Sequence, residues 1–367
     1  MTSLNAFSAI HEDRVEVEAG ALWSTLLQAT LAQGLTPPVL TDYLNLSIGG
    51  VLSIGGIGGT SYRYGAVVDN VLELEVVTGA GTLETCSPTH ETELFENALA
   101  GLGQCGIIVK ATLRLIPAKT HARVFHLFYT HLAALIHDER LLLNDERFDY
   151  IVGHIVPTPA GTWDYILEVL SFYTPSTHQP DNAHLLQGLS FIPGIEQVED
   201  TSYSAFSNRV IKHVDALKEM GVWNHPHPWF DVFVPDSELE RYVSEALAEI
   251  SPADFRSFPI ILSGLRSKCF HAPLLRIPAE ETFFSFALLR TVTPTLDAAT
   301  KAIAHNRRLF ERCRALGGTC YPIGTVELSP ADWQTQFGPY WEKLQRAKGQ
   351  FDPDNVLTLG QGVFPLL

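Results

Sequence analysis

Apolar and polar positions alternate along Val15-Glu16-Val17-Glu18, and past Gly20 the pattern changes to Leu22, Trp23, Leu26, Leu27 and Leu31, closed by Gly34. The first spacing predicts a short strand and the second a helix with one apolar stripe. Leu72, Leu74 and Val76 then alternate with Glu73 and Glu75 and run into Gly79-Ala80-Gly81, which predicts a β-hairpin. Ser87-Pro88 is expected to cap a helix through Leu94, Phe95, Ala98 and Leu99, stopped at Gly101, before an alternating strand from Val109 to Leu115 that Pro117 ends. Beyond Lys119 the pattern predicts strands at Ala122–Tyr129, Tyr150–Val156, Trp163–Phe172, Trp229–Val234 and Thr282–Leu289. Helical spacing falls around Ser237–Ala248 and Leu296–Leu316. This mixture reads as an antiparallel sheet with helices packed on one face, an α+β arrangement. From Pro330 a Trp-rich helix is expected, then a turn at Phe351-Asp352-Pro353 ahead of Gly360-Gln361-Gly362.

Composition adds bounds rather than a fold. The 367 residues, 46% hydrophobic and 18% charged, are enough for two cores. A formal charge of −16 without clustered Lys or Arg excludes nucleic acid and an anionic membrane surface as partners and favours an uncharged or cationic small-molecule substrate. His11, Glu12, Asp13, Arg14, Glu16 and Glu18 make the first twenty residues unlike a signal peptide, and no stretch is apolar for long enough to span a bilayer. Cys86, Cys105, Cys269, Cys313 and Cys320 are scattered, without CxxC spacing, so reduced thiols and a cytoplasmic location are expected. His225 and His227 lack a nearby third ligand, and no metal site is expected from them.

Candidate chemistry concentrates between Thr41 and Gly106. Gly49-Gly50, Gly55-Gly56 and Gly58-Gly59 leave backbone without Cβ atoms, which suits either tight turns or close approach of a dinucleotide. Gly101-Leu102-Gly103-Gln104-Cys105-Gly106 fits the G-x-G-x-x-G pattern, but the predicted order is helix then strand, the reverse of what places a pyrophosphate on a helix N-terminus. A Rossmann site is therefore rejected. Asp42 has two readings from its residues: an Asx turn after Thr41, or a base on a rigid element beside a ligand.

Six motifs in order carry a resemblance: Thr41-Asp42-Tyr43-Leu44, Gly49-Gly50-Val51-Leu52-Ser53, Asn70-Val71-Leu72-Glu73-Leu74, Gly101-Leu102-Gly103-Gln104, His227-Pro228-Trp229, and Phe351-Asp352-Pro353 through Gly360-Gln361. Together they resemble cytokinin dehydrogenase, of the vanillyl-alcohol-oxidase type of flavoproteins, from Met1 to Phe364 with loops excepted. The resemblance implies a PCMH-type FAD-binding domain from residues 1–119 and 322–367, incomplete at its N-terminus, around a substrate domain at 120–321 whose antiparallel sheet is flanked by helices. It implies FAD as cofactor, hydride transfer to flavin from the carbon bearing the side-chain nitrogen of an N6-substituted adenine, and Asp42 as the base that holds or removes the N–H proton. Carried over by position, Asp42, Ser47, Gly49, Gly50, Ser53, Ile57, Ile107, Tyr321 and Gln361 lie against the flavin, Tyr321 near the substrate as well. Their ordinary readings are turn residues for Ser47 and Ser53, core for Ile57 and Ile107, and a packed aromatic for Tyr321. Cys105 stands where the family often has Phe and is expected to be a buried thiol.

Two departures from the family pattern follow. Asp149-Tyr150-Ile151-Val152-Gly153 puts Val152 where the family places a substrate-entrance glutamate, so another amine, an alcohol or a sugar is an alternative substrate. Met1-Thr2-Ser3-Leu4-Asn5 resembles the segment that follows the family's first flavin subdomain, which carries the pyrophosphate loop and the flavin-linked histidine. The expectation is that this subdomain is absent from the chain, and a further alternative is a flavin-free, non-catalytic fragment.

Overall fold

The computed structural model describes residues 4–177, 179–252, 255, 257–357 and 362–364. The chain gathers into two units: Met1–Ala118 with Cys269–Arg276 and Leu328–Leu367, and Lys119–Lys268 with Ile277–Glu327.

In the first unit, β1 (Phe7–Ile10) leads to β2 (Arg14–Glu18), where alternation buries Val15 and Val17. The apolar stripe that follows forms α1 (Trp23–Leu31), burying Trp23, Leu26 and Leu27. Then come β3 (Leu35–Thr36), α2 (Ile48–Leu52), α3 (Ser61–Tyr64), β4 (Val71–Thr78), β5 (Leu83–Cys86), α4 (Thr92–Ala98), β6 (Gly106–Arg114) and β7 (Ile116–Pro117). The sheet order is β1-β2-β6-β4-β5, all antiparallel, so β6 fills the centre after the hairpin β4–β5 has formed one side. Helices α2 and α4 pack on β6. On its partly exposed side, Lys110 Nζ meets Glu16 at 2.9 Å and Glu75 at 3.2 Å, joining three adjacent strands. Partial exposure keeps each such pair to about 0–1 kcal/mol. The expected Ser87-Pro88 cap is not used: α4 starts at Thr92 behind Glu91, whose φ of 45° is left-handed, because Ser87 and His90 close a turn of their own.

The second unit contains β8 (His121–Tyr129), α5 (Leu132–Asp145), β9 (Tyr150–Pro157), β10 (Trp163–Tyr173), α6 (Asn182–Leu186), β11 (Gln197–Ser202), α7 (Tyr203–Ser207), α8 (Arg209–Glu219), β12 (Phe230–Pro235), α9 (Leu239–Glu249), β13 (Ile260–Arg266), β14 (Thr282–Leu288), α10 (Leu296–Ala315) and β15 (Thr319–Cys320). Its strands form one eight-stranded antiparallel sheet, β11-β8-β10-β9-β13-β14-β12-β15. Gly153 and Gly264 leave room on one face for Glu139 and Leu143 of α5, whose atoms would meet an added Cβ at 2.5 Å in each case. The opposite face, reached by Val152, packs with Ala122, Val124, Tyr150 and Leu170 against Phe206 of α7. Helices therefore cover parts of both faces, not one as the pattern suggested.

The chain then returns to the first unit through α11 (Pro330–Phe337) and α12 (Trp341–Phe351), with α12 packed on α4. Ser329 and Asp332 cap α11 reciprocally, a capping box. At the end of α12, Asp352 accepts from Lys348 Nζ at 2.5 Å and from the amides of Val356 and Leu357 at 3.0 Å. A Cβ on Gly79 would lie 2.1 Å from Asp352 Oδ1, so the hairpin glycine is the space this knot occupies.

Candidate functional site

The segment bearing Asp42 has no helix or strand of its own and is pinned from several directions. The first amides of α1 are spent on it: Ser24 N–H donates to Leu44 O at 2.9 Å and Trp23 N–H to Leu46 O at 3.1 Å. Ser24 Oγ donates to Asn45 Oδ1 at 2.8 Å, Thr60 Oγ1 to Pro38 O at 3.0 Å, and Thr41 Oγ1 to Tyr43 O at 3.1 Å. Leu44 is fully buried while Asp42 and Tyr43 are half-buried. A Cβ on Gly58 would stand 2.0 Å from Leu40 O, so backbone lies directly on backbone beneath this segment. The arrangement gives Asp42 the fixed footing that a proton-holding carboxylate needs.

The glycine run has an internal purpose for three of its members. Besides Gly58, Gly49 faces Ala19, whose Cβ would be 2.9 Å from an added Cβ, and Gly56, at φ 82°, faces Val67 and Val51. Gly50 differs: it is exposed, and an added Cβ would meet only Ser47 Oγ at 2.8 Å. Ser47 is the N-cap of α2, its hydroxyl oxygen accepting from Gly50 N–H at 3.2 Å, and this leaves the hydroxyl proton for another acceptor. Ser53 closes the same helix, its hydroxyl donating to Gly49 O at 2.8 Å. Both serines are thus turn and cap residues, and α2 brings Ser47, Gly49, Gly50 and Ser53 within one short helix. Ile57 is half-buried in the segment that follows.

The G-x-G-x-x-G segment runs from α4 into β6, the reverse of a nucleotide fingerprint. It is bound instead to the end of α2: Ala100 N–H donates to Leu52 O and Leu102 N–H to Ser53 O, both at 2.9 Å. Ala100 and Leu102 take left-handed φ values of 53° and 55° to do so, an unfavourable conformation for side-chain-bearing residues. The strained turn delivers Ile107 at the start of β6, 44% exposed rather than in the core. Cys105 beside it is buried, and burial pushes its thiol up to about 12, which leaves it a protonated packing group.

Segment Cys269–Arg276, which the sequence reading leaves inside the central part, also belongs to the first unit. Asp69 holds it: Oδ1 accepts from the amides of His271 at 2.7 Å and Ala272 at 2.9 Å, and Oδ2 from Ala66 at 2.7 Å. Burial nonetheless pushes the Asp69 carboxyl above its usual range. No local pattern around Asp69 announces a partner two hundred residues away.

Tyr321 lies in the second unit, buried, its ring stacked on Phe233 at 5.2 Å and its amide donating to Asp231 O at 3.1 Å. Asp231 is itself buried, with Ser285 Oγ 3.1 Å away, and burial pushes its carboxyl well above the usual range. Val152 is buried in the cluster around Phe206 and pairs across the sheet with Glu168. The Arg209 guanidinium and His126 hold Glu168 down to about 2, outweighing its burial. His227 uses both ring nitrogens, towards Thr291 Oγ1 and Trp223 O at 3.0 Å each. Among the described residues no group of three or more His, Cys, Asp or Glu is placed to hold a metal, and no helix is long and apolar enough to cross a membrane. Gln361 lies outside the described residues.

These residues fit a flat, hydrogen-bonding cofactor. Gly50 presents bare backbone, Ser47 a spare hydroxyl proton, and Ile107 an exposed apolar surface. A family model described as "FAD binding domain" matches residues 1–87, and one described as "Cytokinin dehydrogenase 1, FAD and cytokinin binding" matches residues 156–364. An uncharacterized oxidoreductase, ORF5 in the fasciation locus of Rhodococcoides fascians, is 36% identical over 97% of this chain and 82% of its own length. Cytokinin dehydrogenase 8 of Oryza sativa subsp. indica is 34% identical over 95% of this chain and 73% of its own. A VAO-type flavoprotein from Myceliophthora thermophila C1 superposes with a TM-score of 0.73 at 17% identity, over all of this chain and 72% of that one, which establishes the shared fold. The chain belongs to the cytokinin dehydrogenase family of VAO-type, FAD-binding oxidoreductases.

Proposed function

We propose that the protein oxidises the C–N side chain of N6-substituted adenines with FAD, Asp42 acting as the base. The observation that carries this reading is the pinned half-buried carboxylate next in the chain to α2, in a chain matched by a family model for FAD and cytokinin binding. Bound FAD supplies the two-electron acceptor for the hydride leaving the carbon next to nitrogen, and water hydrolyses the resulting imine. Asp42 accepts the hydrogen bond of the substrate N–H and takes its proton as the C–H bond breaks. Ser47, Gly49, Gly50, Ser53, Ile57, Ile107, Tyr321 and Gln361 line the flavin, with residues 1–119 and 322–367 as the flavin domain, joined by Cys269–Arg276, and the rest of 120–321 as the substrate domain. Asp42→Asn keeps the shape and removes the base. It is expected to slow substrate-driven flavin reduction by about 10²-fold or more with flavin still bound, read by stopped-flow absorbance. An unchanged rate would remove Asp42 from the mechanism.

A second reading, oxidation of another amine, an alcohol or a sugar, is favoured by Val152, an aliphatic residue buried among apolar neighbours where the family pattern has a carboxylate. Turnover of isopentenyladenine beside a panel of amines, alcohols and sugars separates the two. Rapid turnover of another compound with none of the adenine selects the second.

A further inference from the structure

From the geometry of the second unit we infer that Asn306 is a positioning residue that sets the placement of Tyr321. Asn306 is fully buried on α10. Its Nδ2 donates to three carbonyls, Pro228 O at 3.1 Å, Trp229 O at 3.2 Å and Thr325 O at 2.9 Å, while its Oδ1 has no partner. Turning the amide over would set oxygen against those three oxygens, so the orientation follows from the surroundings. An unpaired buried acceptor is a liability, and a side chain that carries one is there for its donors.

What those donors join is the entry to β12 and the irregular segment that follows β15. Thr325 N–H donates to Trp229 O at 2.6 Å, Tyr321 N–H to Asp231 O at 3.1 Å, and Arg307 Nη1 to Glu327 O at 2.6 Å. Gly324 lets the two segments touch: a Cβ there would be 2.8 Å from Trp229 O and 2.9 Å from Phe230 Cα. Three carbonyls crowded at one point repel unless a donor sits among them, and Asn306 supplies it. Tyr321 is three residues before Gly324 in the clamped segment just after β15, so its ring, stacked on Phe233, takes its place from this corner.

The assignment rests on the proposed reading that Tyr321 lies near the flavin and the substrate, and the experiment separates the two. Asn306→Asp, Asn306→Ala and Tyr321→Phe are made in the full chain. KM and kcat for isopentenyladenine and the thermal midpoint are measured against pH, each as a difference from the parent. His305 with Glu249 and Arg290, Asp231 with Ser285, and Arg307 are the titratable and charged groups on the elements joined here, and Asn306→Ala, which adds no charge, controls for their titration. At about pH 8 the Asn306→Asp carboxylate opposes three carbonyls, and kcat/KM should fall at least about tenfold, mainly through KM. Burial raises the introduced acid's pKa, so as pH falls to about 5 it regains a proton, becomes a donor, and both gaps should narrow. Asn306→Ala should leave gaps that do not vary with pH. A pH-independent Asn306→Asp gap overturns the clamp. A lowered midpoint with parental KM in both Asn306 variants reduces the clamp to structure alone and overturns the positioning role. Parental kinetics in Tyr321→Phe overturn the reading of Tyr321 and the assignment with it.

Discussion

At the residue scale the glycines divide by what lies opposite them. Gly58 sits on Leu40 O beneath the Asp42 segment, whereas Gly50 opens outward. Gly58→Ala forces the two backbones apart and is expected to destabilise the protein by about 2 kcal/mol or more while lowering turnover, since Asp42 moves with that backbone. Gly50→Ala crowds only the Ser47 cap, so it should cost no more than about 1 kcal/mol and should weaken flavin retention, read by absorbance after gel filtration. A reversal of these two phenotypes would mean that the run is not divided in this way. Glycine density was legible in the sequence as backbone approach, but not what was approached. That depends on Leu40, Ala19 and Val67 arriving from other segments. Ile107 shows the opposite case: as one of two adjacent isoleucines in β6 it has the ordinary reading of core, but alternation buries Ile108 and turns Ile107 outward.

At the element scale β2 was readable because Val15 and Val17 face the core while Glu16 and Glu18 reach water, whereas β8 was readable from its apolar content, since Val124 and Phe125 are buried on opposite faces. Helix α5 was not, because Asp138 and Glu139 interrupt its apolar stripe with carboxyls that are both fully buried. Asp138 is explained by Tyr129 OH at 2.9 Å and Ser190 N–H at 2.6 Å, partners no local pattern contains. Glu139 lies towards the amides of Gly153 and Gly264 with neither oxygen in a well-formed hydrogen bond, and burial raises its pKa well above the usual value. The folded state therefore holds a proton that the unfolded chain releases above about pH 4.5. The stability this group contributes is full below that pH and is lost as pH rises towards the folded pKa. Glu139→Gln removes the dependence: it should match the parent near about pH 4 and exceed it in thermal midpoint at about pH 8. A midpoint difference independent of pH would contradict a buried neutral acid on α5.

At the scale of the whole molecule, the expectation of an interrupted first domain came from the resemblance carried by six motifs, whereas the central place of β6 between β2 and β4 was not read from the sequence, because strand order depends on pairing between distant segments. Segment Cys269–Arg276 was not, because its attachment is a carboxylate receiving backbone amides, which leaves no signature in side-chain pattern. The central claim, flavin-dependent oxidation of N6-substituted adenines, is tested most directly by mixing the FAD-loaded protein with isopentenyladenine without air and following the visible flavin absorbance. The account predicts bleaching by this compound, strongly slowed in Asp42→Asn. A flavin that stays oxidised with the adenine but bleaches with another amine, an alcohol or a sugar would contradict it.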